Sequence, residues 1–175
     1  MKKVILTLGL VILSAAVFAQ GAVVKKYMEK YADNKDFVKV SVSAKMFSLF
    51  TELEAGSPEE EEFLKAVSKL KGLKVLVGEK VEDSGKLYKS TIAEVDKSGY
   101  DELMTVTDAE ENMKFAIKDN GGKIEELIMV LGGNEKFVLL SLYGEIDLKN
   151  ISKIAKSMKV DGFENLSKIG EKSGN

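Results

Sequence analysis

The stretch from Tyr100 to Asp147, YDELMTVTDAEENMKFAIKDNGGKIEELIMVLGGNEKFVLLSLYGEID, narrows the possible folds more than any other part of the chain. Apolar runs are separated by turn residues, which reads as four strands in succession. In the second, Met113, Phe115 and Ile117 point one way while Lys114 and Lys118 point the other. Asn120-Gly121 and Gly132-Gly133-Asn134 stand between strand patterns, where they supply the positive φ angles of tight hairpins. A phosphate-binding loop needs a strand, then the glycines, then a helix N-terminus, and neither glycine pair leads into a helix. The nearest approach to such a loop, Gly78 to Lys86, has the wrong spacing and is followed by Leu87 where a hydroxyl would hold magnesium.

Upstream, the period changes. Val24, Tyr27, Met28 and Tyr31 fall on one helical face, and Val38, Val40 and Val42 then alternate as a strand with one buried face. Ser43 opens a second helix whose expected buried set is Met46, Leu49, Phe50 and Leu53, ended by Gly56. GSPEEEEFLKAVSKLKG is the clearest local signal: Ser57 caps, Pro58 takes the first helical position, Glu60 completes a capping box, and Gly72 is expected just past the end. Phe63, Leu64, Val67 and Leu70 are its expected buried face. Glu59, Glu60, Glu61 and Glu62 complement the helix dipole; calcium would want converging loop oxygens instead. Leu73 to Val77 is a short buried strand, followed by a helix with Tyr88, Ile92 and Val95 that stops at Gly99. After the four strands, Asp147 caps a closing helix carrying Ile151, Ile154, Ala155 and Met158.

The chain begins MKKVILTLGLVILSAAVFAQ, two lysines before an uncharged apolar stretch that ends in small residues. That is the pattern of a secretory signal peptide, too short to span a bilayer comfortably, with cleavage expected after Ala19. Residues 1–19 are thus a leader, 20–159 a single domain and 160–175 a flexible tail. Without Lys2 and Lys3, 24 lysines face 28 acidic residues and the net charge goes from −2 to −4. A mildly acidic, mixed surface argues against nucleic acid.

Cys, His, Trp and Arg are missing altogether. Their absence removes the Ser-His-Asp and Cys-His arrangements, thiolate and imidazole metal sites, and the bidentate guanidinium clamp. Carboxylates, lysines, tyrosines and hydroxyls remain, so an enzyme is disfavoured, with a Lys- or carboxylate-based hydrolase as the residual case. Its candidates are weak. Ser68 and Lys71 have Ser-x-x-Lys spacing but lie where a helix ends, and Asp101 with Glu102, or Asp108 with Glu110, read as solvated strand and turn residues. No catalytic, cofactor-binding or metal-ligating residue is assigned.

The expected fold is α+β, a mixed sheet with interleaved helices, an antiparallel meander in the C-terminal half and a closing helix. Ile128 to Leu131 and Phe137 to Leu142 are apolar on both alternating faces, so both sheet faces are covered, by the protein's own helices or by something else. Ile128, Val130, Phe137, Leu139 and Tyr143 are therefore the candidate interaction residues.

The run from Tyr100 to Gly133, together with FVLLSLYGEIDLKNISKIAK and the strand LKGLKVLV, resembles domain-of-unknown-function family 4252, small exported proteins of Bacteroidetes-type bacteria. The resemblance brings no catalytic residues. Lipoprotein members of such a family would carry a lipobox cysteine, which this chain lacks. The expected function is that of an exported, periplasmic or secreted, non-enzymatic protein acting by binding an envelope protein or itself. The alternative is a carrier of a small apolar ligand lodged on the same strands.

Overall fold

The computed structural model describes residues 21–147. The expected leader, the closing helix from Ile151 to Met158 and the tail lie outside these residues. Among them, helix α1 (Ala22–Lys30) buries Val23, Val24 and Tyr27, with Met28 and Tyr31 packed beside them, as the spacing requires. Strand β1 (Phe37–Ser43) leads directly into helix α2 (Ala44–Leu49), which tightens into a 3₁₀ turn (Phe50–Glu52). Helix α3 (Pro58–Ser68) then precedes strand β2 (Leu70–Gly78). Helix α4 (Ser84–Lys97) leads into β3 (Asp101–Thr107), β4 (Glu111–Asp119), β5 (Ile124–Gly133) and β6 (Lys136–Ile146).

The strands form a single sheet in the order β1-β2-β6-β5-β4-β3, antiparallel at every pairing rather than mixed. The class is α+β. Helices α1 and α4 cover the front face, burying Phe37, Leu76, Ala116, Ile128, Val130, Phe137 and Leu139. On the back face, Phe47 of α2 and Val67 of α3 join Phe115, Leu127, Met129 and Ile146. The doubly apolar pattern of β5 and β6 thus serves two cores, one on each side of the sheet.

Local signals explain most boundaries. Ser57 Oγ accepts from the Glu60 N–H at 3.2 Å, and the Glu60 carboxylate accepts from the Gly56 N–H at 2.6 Å, closing a capping box one residue wider than usual. Gly121 and Gly122, at φ 64° and 85°, turn β4 into β5 between Asn120 and Lys123. The next hairpin differs from expectation. Its turn residues are Asn134 and Glu135, both at positive φ, while Gly132 and Gly133 end β5. Gly132 is there for a close approach: a Cβ at this position would lie 2.5 Å from Tyr88 Cβ and 2.9 Å from the Ser84 carbonyl oxygen, against α4.

Two expected faces and one expected helix stop are corrected. Val38 and Val40 are 62% and 43% exposed, because β1 is an edge strand and α2 packs more on β2 than on β1; only Val42, beside α2, is half-buried. In α2, Phe47 is buried and Phe50 packs beside it, leaving Met46, Leu49 and Leu53 exposed. Two apolar stripes compete on this short helix, and the one carrying both aromatics wins the sheet. Gly72 is a residue of β2 rather than a helix stop; a Cβ there would stand 2.2 Å from the Tyr143 hydroxyl, so its absence makes room for that ring.

Candidate functional site

The five residues singled out from the sequence do not form a surface. Ile128, Val130, Phe137 and Leu139 have no exposed area and sit in the front core under α1 and α4, while Tyr143 is half-buried. The correction has a plain cause: the chain supplies its own cover for this face. Because the four side chains touch no space that a solvent molecule could occupy, they offer no lining for an apolar ligand either.

Exposed apolar surface lies elsewhere. Val38 and Val40 on β1, Met46 and Leu49 on α2 and Leu53 just after the 3₁₀ turn follow one another along the chain, with exposures between 43% and 62%. Leu53 also lines, with Leu64, Glu61 and Lys65, an open groove of about 720 Å³ between the 3₁₀ turn and α3. These residues were legible as apolar in the sequence. Their periodicity reads the same whether a face is buried or bare, so only the sheet order reveals that β1 has no partner on its outer side among the described residues.

Among the described residues the front core holds one buried carboxylate. Glu126 on β5 is fully buried, and its carboxylate accepts from the Ser141 hydroxyl at 2.6 Å and from the Gly21 N–H at 2.9 Å. The Tyr100 hydroxyl donates to the same carboxylate. Burial of the Tyr100 phenol, together with the Glu126 charge and that hydrogen bond, pushes its pKa far above the ordinary tyrosine range. Lys118 stands opposite Glu126 on β4, with its ammonium over the Tyr100 ring at 5.4 Å. The cluster ties the start of α1 to the middle of the sheet. These donors are spent on structure.

Several other titratable groups are also engaged. Lys114 on β4 bridges Asp96 of α4 at 2.9 Å and Glu102 of β3 at 3.1 Å. Partial burial would lower its pKa, but the two carboxylates outweigh that and raise it, while Glu102 is held below the usual carboxylate range by Lys114 and Thr105. Asp108 accepts from the backbone N–H groups of Glu111 and Glu110, at 2.8 Å each, which lowers its pKa and fixes the β3–β4 turn. The Ser68 hydroxyl donates to the Lys65 carbonyl within its own helix, and Lys71 lies beyond the helix in β2. Among the described residues no group of three or more acidic side chains is arranged to hold a metal ion, and no helix is long and apolar enough to cross a membrane.

The family profile described as "Domain of unknown function (DUF4252)" matches residues 28–154. The chain belongs to the DUF4252 family. No curated protein and no solved structure matches it. The match runs from α1 through all six strands, so the DUF4252 sequence signature is carried by the two-faced sheet. Glu126, Tyr100 and Ser141 escaped sequence reading. An acidic residue inside an apolar strand was their only trace, and Glu125 beside it carries the same signal while being half-buried.

Proposed function

We propose that this DUF4252 chain is an exported, non-enzymatic protein that works by binding another protein of the cell envelope or a second copy of itself. The observation that carries the reading is the run of exposed apolar side chains from Val38 to Leu53 on an edge strand and the segment after it. Such surface next to an unpaired strand edge is where protein partners dock. The leader-like start supports export. The engagement of Lys114, Glu102, Asp108 and Glu126 in structural bonds supports a non-catalytic role.

The test is in-cell cross-linking followed by gentle purification from the envelope of the source bacterium, comparing wild type with Val38→Lys and Leu49→Lys. Both positions are exposed, so the variants fold. A partner, or a second copy, captured with wild type and reduced at least several-fold with the variants is the expected result. Identical capture by all three, or protein found only in the cytoplasm with residues 1–19 still attached, overturns the reading.

A further inference from the structure

The two edges of the sheet are unlike each other. Strand β3 has a register shift between Glu102 and Met104 and begins with two acidic residues, devices that blunt an edge against further pairing. Strand β1 has neither. It pairs with β2 without interruption from Phe37 opposite Gly78 to Ser43 opposite Gly72, and among the described residues no strand pairs with its outward backbone groups. Lys39, its one charged residue, donates from its ammonium to the carbonyl oxygens of Ala32, Asn34 and Phe37, and the Phe37 N–H donates to the Asn34 carbonyl at 3.4 Å, so the chain itself holds only the Phe37 end of the edge. The strand's back face is valine at every second position, and two of the three valines are exposed.

A strand of this composition is self-complementary in one register. A two-fold axis perpendicular to the sheet keeps every side chain on its own face, so each residue must stand opposite one of the same parity. Centring the axis on Lys39 would set two lysines directly opposite each other, which is destabilising. Centring it on Ser41 shortens the ladder to Lys39 through Ser43, because Val38 would face Ala44, where α2 begins. Centring it on Val40 sets all of Phe37–Ser43 in register, with Phe37 exchanging its bond to Asn34 for one to Ser43 of the second copy: Val40 meets Val40, Val38 meets Val42, and Lys39 meets Ser41. No like charges meet, and the exposed valines of both copies close over one another.

We propose that β1 is a homodimerisation edge, at which a second copy of this chain adds its own β1 antiparallel about Val40 to make one sheet continuous through both molecules. This deepens the binding reading by naming the partner. The interface is isologous and built on backbone hydrogen bonds, with Val38, Val40 and Val42 as its apolar seam.

The chain contains no cysteine, so single-cysteine variants report the register directly. In this arrangement the two copies of residue 40 are directly opposite, with Cα atoms about 4.5–5.5 Å apart, within reach of a disulfide. The two copies of residue 38 are about four residues apart along the ladder, roughly 13 Å, beyond that reach. Under mild oxidation Val40→Cys is expected to form a covalent dimer at least tenfold faster than Val38→Cys, although residue 38 is the more exposed and would win by random collision. Native mass spectrometry and sedimentation of the unmodified full chain should show a concentration-dependent dimer. Val40→Lys, which places two ammonium groups on the axis, should weaken it at least tenfold while leaving the circular dichroism spectrum unchanged. Faster cross-linking at 38 than at 40, equal rates at both, or a monomer at every concentration overturns the proposal. A monomer that still captures a different envelope protein through Val38 and Leu49 would overturn only this inference and leave the binding reading standing.

Discussion

Glu126 is the residue on which the front core turns. Three donors, the Tyr100 and Ser141 hydroxyls and the Gly21 N–H, depend on one buried carboxylate. Glu126→Ala strands all three, and each buried unsatisfied donor costs about 1–3 kcal/mol. The expected loss is therefore about 3 kcal/mol or more, measured by urea denaturation, and a loss below about 1 kcal/mol would mean that water replaces the carboxylate. Tyr100 makes a prediction in pH. Its phenol is raised above the ordinary value, so its contribution is complete below about pH 10 and is lost as the pH rises beyond that. Stability should fall as the pH rises above about 10, less steeply in Tyr100→Phe than in wild type. Parallel declines would show that Tyr100 ionises no differently in the folded and unfolded chains.

At the scale of elements, caps and hairpins were readable because their signals are local. Ser57, Pro58 and Glu60 announce α3 by side chains that bond their own neighbours, and Gly121 announces a turn by a φ angle that few other residues tolerate. The faces of β1 and α2 were misread because they depend on what lies above them. Alternating valines in β1 match a buried strand, yet burial is decided by the position of helices that the strand's own sequence does not encode. Gly132 illustrates the same limit: in sequence it is a turn glycine, in space a contact surface for α4. Gly132→Ala should push α4 off the sheet and cost about 1–3 kcal/mol. Gly85→Ala, inside α4 with nothing within 4 Å of its new methyl group, should instead stabilise by about 0.5–1 kcal/mol. Urea midpoints that move in the same direction for both would contradict this account of the two glycines.

Across the whole molecule, the α+β class, the six strands and their two apolar faces were legible because hydrophobic period is a property of the sequence itself. The strand order was not. Nothing in the local pattern places β6 between β5 and β2, since that pairing joins residues about seventy positions apart and is chosen by the fit of both faces together. The exposed edge, and with it the candidate docking surface, was hidden for the same reason. The two halves of the sheet should accordingly differ in kinetics. The hairpins from β3 to β6 close short loops, whereas β1 and β2 join by a distant contact. Ile128→Val is expected to slow refolding, whereas Phe37→Leu is expected mainly to hasten unfolding, both read from chevron plots.

That order of strands also ties the fold to the order of synthesis. Strand β2 leaves the ribosome early, but its inner edge is satisfied only by β6, the last strand of the sheet. A nascent chain that has emerged as far as α4 holds only β1 and β2 of the sheet, with α1 and α2 against β2, and the residues of β5 and β6 that complete both cores are not yet made. The polypeptide therefore stays loose until nearly all of the sheet-forming sequence has been made. A chain that cannot close prematurely can be threaded through a narrow pore while it is still growing.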